Sequence, residues 1–262
     1  MAETLRSYLD FAIDTAFQAG QLTLGYYQTD LHPELKADDT PVTVADRQAE
    51  QLIRHRIEQR YPGHAILGEE YGGQELLNDS TGLSHRWIID PIDGTRSFVR
   101  GVPLYGVLIA LEIEGVCKVG VAHFPALAEM VAAATGEGCW WNGRRAQVSA
   151  VDQLKDGLVA HIDAASFAKF GRGEAWERIK QVAGYRAGWC DAYGYLLVAT
   201  GRAELMLDPI MNVWDCAPLL PILQEAGGYF GDWQGNPTIY GNEAIGTTQK
   251  LLPEVLRLIN DS

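Results

Sequence analysis

An apolar run, Trp87-Ile88-Ile89, ends in Asp90-Pro91-Ile92-Asp93-Gly94-Thr95, and this stretch restricts the fold of the chain most tightly. Proline has no N–H, so Pro91 forbids further strand pairing through its own nitrogen. Asp93-Gly94 supplies a tight turn, and Thr95-Arg96-Ser97-Phe98 can open a helix. Two carboxylates three residues apart therefore stand where a strand ends and a helix begins. Carboxylate oxygens suit hard divalent cations. The N–H groups at a helix start suit phosphate oxygens. Together they predict a magnesium-dependent phosphomonoesterase.

The rest of the chain can be tested against that expectation. Residues 4–27 predict an amphipathic helix, with Leu5, Tyr8, Leu9, Ala12, Ile13, Ala16 and Phe17 at helical spacing. Residues 36–42 read as a polar loop. A second helix runs from Thr43 to about Tyr61, opened by Thr43 and Asp46 as a capping box, buried through Leu52, Ile53 and Ile57, and stopped by Pro62-Gly63. A short strand, Ala65–Leu67, ends in Gly68-Glu69-Glu70, and residues 71–85 read as a surface loop. Leu104–Glu112 and Val116–His123 predict a hairpin around Glu114-Gly115. Met130–Ala134 and Ala146–Val148 add strands, with a turn at Asn142-Gly143 between them. Residues 1–150 thus form an α+β half of helices and antiparallel strands.

Beyond residue 150 the elements alternate, which predicts an α/β half over residues 151–262. Strands are expected at Leu158–Ile162, Tyr185–Gly188, Ala203–Leu207, Tyr229–Asp232 and around Ile245. Helices are expected at Gly173–Val182, Asp191–Thr200, Val213–Ala226 and Thr248–Asn260. No linker separates the halves, so a large shared interface is expected.

Composition excludes several classes. A chain of 262 residues with 47% hydrophobic and 21% charged residues is that of a soluble globular protein. A formal net charge of −13 repels nucleic acid and anionic membranes. Cys117, Cys139, Cys190 and Cys216 form no CxxC pair and no zinc-finger spacing with histidine. They read as reduced, mostly buried thiols of a cytoplasmic protein. The apolar stretch from Leu104 to Ile113 is too short to span a bilayer, and no signal pattern opens the chain.

A site for two magnesium ions needs several carboxylates from different elements. The candidates are Glu69, Asp90, Asp93 and Asp215, with the backbone carbonyl of Ile92 between the two aspartates. Taken singly, Asp93 reads as a turn residue, Asp215 as a helix cap, Glu69 as a loop residue and Asp46 as half of a capping box. A turn alone, however, does not need a carboxylate on both sides of Pro91-Ile92. Two cations can bind a phosphate, activate a water and stabilise the leaving alkoxide. Thr95 then relays or orients the water's proton, Asp46 orients Thr95, and the N–H groups of Gly94 and Thr95 hold phosphate oxygens.

Asp90-Pro91-Ile92-Asp93-Gly94-Thr95, with Gly68-Glu69-Glu70 upstream and Trp214-Asp215 downstream near Glu225-Ala226-Gly227-Gly228, resembles the inositol monophosphatase family nearly end to end. The resemblance implies an α/β fold, a layered αβαβα sandwich of the inositol monophosphatase and sugar phosphatase type. It implies a homodimer that hydrolyses a small phosphorylated metabolite with two to three Mg2+ ions, Mn2+ being possible. Glu69, Asp90 and the Ile92 carbonyl match one cation's ligands; Asp90, Asp93 and Asp215 match a second's; a third, looser ion lies near Glu69. Thr95 and Asp46 match the water-activating pair, and Lys36 a basic residue near the entrance.

The substrate segment departs from the inositol type. Where inositol enzymes carry Gly-Thr-Ala, this chain has Trp189-Cys190-Asp191, and Asp208 matches a glutamate that binds ring hydroxyls. Ser97–Leu104 and Asp191-Ala192-Tyr193-Gly194-Tyr195 look more like the histidinol-phosphate phosphatase branch. That substrate carries an ammonium and an imidazole, which Asp191 and Asp208 can meet, with Trp189 or Tyr193 against the imidazole. Arg186, in the Tyr185–Tyr195 stretch, is expected among the substrate contacts, and Arg100 and Arg202 are the other cationic residues near the pocket segments. The alternatives are an inositol-1-monophosphatase and a broader sugar- or nucleotide-phosphate phosphatase. A non-catalytic metal-dependent binding or regulatory module is disfavoured, because no metal carboxylate is lost and Thr95 is present.

Overall fold

Thr4 starts the first helix, α1 (Leu5–Leu24), through a reciprocal cap: its hydroxyl accepts the Ser7 N–H at 3.1 Å, and its own N–H donates to the Ser7 hydroxyl at 2.9 Å. The helix buries Tyr8, Leu9, Ala12, Ala16 and Ala19. Phe17, expected in that stripe, lies on its flank and is 50% exposed. The protein is described here by a computed structural model that covers residues 3–37, 40–73, 84–189 and 191–260. Most of the surface loop expected over residues 71–85 lies outside the described residues.

The polar stretch after α1 is more ordered than a plain loop. β1 (Glu34–Leu35) and β2 (Pro41–Val42) pair antiparallel. α2 (Val44–Arg60) follows, with Thr43 and Asp46 forming the expected capping box. Then come β3 (Ala65–Gly68), β4 (Gly72–Gly73), β5 (His85–Asp93), α3 (Thr95–Val99), β6 (Gly106–Ile113), β7 (Val116–Phe124), β8 (Glu129–Ala134), β9 (Gly138–Trp141) and β10 (Arg144–Arg145). They form a sheet of order β10-β9-β8-β7-β6-β5-β3-β4, antiparallel except between β3 and β5.

Two expectations are corrected in this sheet. β5 does not end at Asp90: it continues to Asp93, with a register shift between Asp90 and Asp93. Pro91 sits in that irregularity, where no ladder bond is asked of its nitrogen. Ala146–Val148 is not a strand. The partner of β9 is β10, and Asn142 (φ 46°) and Gly143 (φ 77°) turn the chain between them.

The second sheet has the order β12-β11-β13-β15-β14 and is built from β11 (Leu158–His161), β12 (Tyr185–Ala187), β13 (Leu205–Asp208), β14 (Gly228–Gly231) and β15 (Ala244–Thr248). Helices α4 (Ala164–Lys169), α5 (Gly173–Val182), α6 (Asp191–Ala199), α7 (Val213–Cys216), α8 (Leu219–Glu225) and α9 (Leu252–Asn260) connect and cover these strands. α4 has no counterpart in the expected pattern. The helix expected over Val213–Ala226 is divided near Pro218, which cannot donate to a preceding carbonyl. Thr248 belongs to β15, so the last helix starts later than its apolar pattern suggests.

The layers follow from three cores. Tyr8, Leu9, Ile53 and Ile57 of α1 and α2 pack on Trp87, Ile89, Val107 and Ile109 of the first sheet. On the sheet's other face, Ile88, Leu108 and Ala110 join Leu196 of α6, Leu219 and Leu223 of α8, and Phe230 of the second sheet. Leu205, Leu207 and Ile245 then face Trp176, Ile179, Val255 and Leu258 of α5 and α9. The stacking is αβαβα. A strand covered on both faces, like β5, reads as an unbroken apolar run because neither face meets water. Cys117, Cys139 and Cys216 are buried free thiols; Cys190 lies outside the described residues. Among the described residues no helix is long and apolar enough to cross a membrane.

Candidate active site

Main-chain donors hold each carboxylate at the end of β5. Asp90 Oδ1 accepts the Ile92 N–H at 3.0 Å, across the irregularity in the strand. Asp93 Oδ2 accepts the Ala192 N–H at 2.9 Å, which ties β5 to the start of α6. Asp215, in the first turn of α7, accepts the Asn212 N–H at 2.8 Å. Asp90, Asp93 and Asp215 each offer a carboxylate oxygen, and these oxygens lie within 4.8 Å of one another.

Such closeness is electrostatically costly. Burial first, and then the neighbouring acids, push Asp90 and Asp93 well above the usual carboxylate range. Burial likewise pushes Asp215 up to about 7. A divalent cation among them offsets both the burial and the repulsion. The donor set is all oxygen, with the Ile92 carbonyl adjoining, and therefore fits a hard cation such as Mg2+ or Mn2+.

Glu69 approaches from β3. Its N–H donates to the Ile89 carbonyl at 3.2 Å, which places it beside the strand that carries Asp90. The Glu69 charge contributes to the raised pKa of Asp90, so the two carboxyls sense each other directly. Lys36, from the β1–β2 segment, donates to Glu69 at 2.8 Å and to Glu70 at 2.7 Å. Burial opposes the Lys36 charge, but these two bonds outweigh it and hold its pKa above the ordinary lysine range. Burial pushes Glu70 up to about 7 in spite of Lys36.

The expected Thr95–Asp46 pair forms. The Thr95 hydroxyl is 3.2 Å from Asp46 Oδ1 and 2.9 Å from the Ile92 carbonyl oxygen. Asp46 is fully buried, and its other oxygen accepts the Thr43 N–H at 2.8 Å and the Thr43 hydroxyl at 2.6 Å. It serves as capping residue and Thr95 partner at once. Burial raises its pKa. Gly94, which starts α3, has φ 74°, and a Cβ there would lie 2.9 Å from the Leu104 carbonyl and 3.0 Å from Asp191 Oδ2. Only glycine fits.

The substrate segment is only partly assembled at this point. Asp191 (φ 56°) places its carboxylate over Gly94, and its charge helps raise both Asp93 and Asp208. Asp208 ends β13, is buried, and accepts the Ile210 N–H at 3.1 Å; burial pushes it well above the carboxylate range. Trp189 is 39% exposed.

Other expected contacts are drawn elsewhere. Arg186 donates to the Lys180 and Ala183 carbonyls at 2.7 and 3.0 Å, at the end of α5. Its strand neighbour Val159 belongs to the core under α5 and α9, so Arg186 faces the outer helices and not the carboxylate cluster. The Tyr193 hydroxyl donates to Glu129 at 3.0 Å and its ring meets Phe124. Arg202 also pairs with Glu129, at 2.6 Å.

Sequence reasoning missed Glu50. It is fully buried on α2 and receives the Glu70 N–H at 2.8 Å and the Tyr71 N–H at 3.3 Å. The signal is present in the chain: Ala45, Ala49, Ile53 and Ile57 mark the buried stripe of α2, and an acidic residue in that stripe calls for buried partners.

The sequence profile of the inositol monophosphatase family matches residues 4–262. The chain is 44% identical to a histidinol-phosphatase of Chlorobaculum parvum over 238 residues, covering 90% of each chain. It is 35% identical to a histidinol-phosphatase of Mycobacterium tuberculosis over 258 residues, covering 96% of this chain and 97% of the relative. Among solved structures, an IMPase of Thermotoga maritima superposes with a TM-score of 0.86 at 30% identity, covering 97% of both chains.

Proposed function

The chain belongs to the inositol monophosphatase family, and from that premise we propose that it is a phosphoric monoester hydrolase that converts L-histidinol phosphate to L-histidinol and phosphate with Mg2+. One observation carries the substrate: the Asp191 carboxylate lies over the Gly94 turn, 3.0 Å from where a Gly94 Cβ would stand, while Asp208 is a second buried acid, pushed up by burial first and by the Asp191 charge in addition. A phosphate held at that turn would leave its alcohol facing two acids. An ammonium and an imidazolium satisfy them, whereas neutral ring hydroxyls leave the burial of Asp208 uncompensated. The 44% identity to a relative named histidinol-phosphatase supports the same choice.

Glu69, Asp90, the Ile92 carbonyl, Asp93 and Asp215 would hold two to three Mg2+ ions, replaceable by Mn2+, which when bound supply Lewis-acid polarisation of phosphoryl oxygens and a more acidic water. The residues of the chain do the rest. In the reaction a water oxygen bonds to phosphorus as one of its O–H bonds breaks, the phosphorus–ester oxygen bond breaks, and the leaving alkoxide takes up a proton equivalent to the one the water gave up. The Thr95 hydroxyl has one proton and two acceptors in range, Asp46 and the Ile92 carbonyl. Donation to Asp46 leaves the Thr95 oxygen lone pairs directed at a water and orients that water for attack. The Gly94 and Thr95 N–H groups would hold phosphate oxygens, and Trp189 would cover the imidazole. Lys36 stands at the entrance and neutralises Glu69 and Glu70 until substrate and cation arrive.

The proposal extends to a cytoplasmic homodimer, with residues 1–150 carrying most of the cation ligands and 151–262 carrying Asp215 and the specificity segment. A phosphate-release panel tests the substrate: histidinol phosphate, inositol monophosphate, fructose bisphosphate and 3′-phosphoadenosine 5′-phosphate, each with Mg2+ and with chelator. Histidinol phosphate should be cleaved with the highest kcat/KM. A higher kcat/KM on inositol monophosphate would assign the chain to the inositol enzymes instead, and release that persists in chelator would overturn the cation site.

A further inference from the structure

Asp46 and Glu50 lie one turn apart on the buried face of α2. The first reaches Thr95. The second reaches the turn that carries Glu69. Glu50 Oε2 accepts the Glu70 N–H at 2.8 Å; Glu50 Oε1 accepts the Tyr71 N–H at 3.3 Å and the Arg54 Nε–H at 2.7 Å. Arg54 also donates to the Gly72 carbonyl, so carboxylate and guanidinium together grip residues 70–72. The fit on Gly68 is close: a Cβ there would stand 2.0 Å from Glu50 Oε1. From the opposite side the Glu69 N–H is bound by the Ile89 carbonyl.

Glu69 is thus clamped between β5, which carries Asp90, and α2, which carries Asp46. We propose that Glu50 is a positioning residue: its buried carboxylate fixes the Gly68-Glu69-Glu70 turn so that the Glu69 carboxylate meets a cation shared with Asp90. The inference rests on the proposed reading of Glu69 as a cation ligand. A ligand supported from behind binds its ion more tightly because less ordering is left to the ion, and losing such a support typically weakens binding by about 10- to 100-fold.

Calorimetric titration of the metal-free full-length protein with Mg2+, without substrate, tests this. Thermal unfolding and the Mg2+ dependence of phosphate release are measured alongside. Glu50→Gln keeps the size but turns an amide towards donors. It should raise the Mg2+ Kd by about tenfold and the half-saturating Mg2+ in turnover in parallel, while kcat at saturating Mg2+ changes far less. If Glu50→Gln does not fold, Glu50→Asp, which keeps the charge but withdraws it by one methylene, carries the same expectation. A folded variant with a lowered Tm and a Mg2+ Kd within about twofold of wild type would make Glu50 merely structural and overturn the inference. If the wild-type protein takes up no Mg2+, the cation site itself is wrong and the inference falls with it.

Discussion

The carboxylate cluster at the end of β5 and the rim around Trp189 and Asp191 share a border at Gly94, yet they are built on opposite terms. In the cluster, the carboxylates of Asp90, Asp93, Asp215 and Asp46 each accept a main-chain N–H, from Ile92, Ala192, Asn212 and Thr43. Their positions follow the backbone. Around Trp189 and Asp191, side chains turn to solvent or to partners outside the cluster. Trp189 is half-exposed, Arg186 leaves for the carbonyls of α5, and Tyr193 and Arg202 converge on Glu129. Groups that must face one another closely enough to share a cation are held by the fold itself. The groups proposed to select the alcohol stand at element ends, where a substitution should alter the pocket without disturbing the sheet.

That contrast should appear most strongly in Asp93→Asn. The variant removes one of the converging charges where cations supply several kcal/mol, so phosphate release should fall on the order of a thousandfold. A loss below about tenfold would break the comparison, since the cluster would then tolerate change as the rim does. Asp191→Ala should act on selectivity. A lost contact to a charged group costs about 1.5–3 kcal/mol, so kcat/KM for histidinol phosphate should fall at least about tenfold more than for an aryl phosphate. Equal losses on both substrates would move Asp191 from recognition into the cluster's own machinery.

A smaller effect concerns stability against pH in the metal-free protein. Glu70 and Asp215 titrate near 7 in the folded chain, whereas carboxyls in the unfolded chain titrate near about 4. Between those values the folded state holds protons that the unfolded state has released, so stability is present at low pH and is lost as pH rises through the folded pKa. In chelator, Tm should therefore drop from about pH 5 to about pH 7.5, and Mg2+ should raise Tm more at the higher pH. A metal-free Tm that climbs over this interval would contradict the electrostatics assigned to the cluster. The smallest effect is expected for Arg186→Ala, which should leave kcat/KM within about twofold and shift stability by under about 1 kcal/mol, as for an exposed side chain. A large loss on histidinol phosphate alone would return Arg186 to the substrate.

Some of these features are legible in the order of residues alone. The Thr43–Asp46 box, the turn at Asp93-Gly94 and the apolar run of β5 are local patterns, and each is found where its residues place it. Ligand candidates are legible because carboxylates on both sides of Pro91-Ile92 have no purpose in an ordinary turn. Local reasoning fails where tertiary context overrides local preference. Pro91 ends no strand because a register shift absorbs it, and the apolar pattern from Val213 onward hides the break at Pro218.

The sequence by itself therefore determined the chemistry class, the Asp90–Asp93 pair and most of the order of elements. The pair and the helix caps rest on spacings of three or four residues, which backbone geometry converts directly into distance. The tertiary structure alone decided which side chains meet across the chain: Glu50 against Gly68, Asp191 over Gly94, the Ala192 N–H on Asp93, and Arg186 turned away to α5. Those contacts depend on how helices and sheets stack. Stacking is set by the sum of buried surfaces over whole elements, and no short run of residues carries that sum.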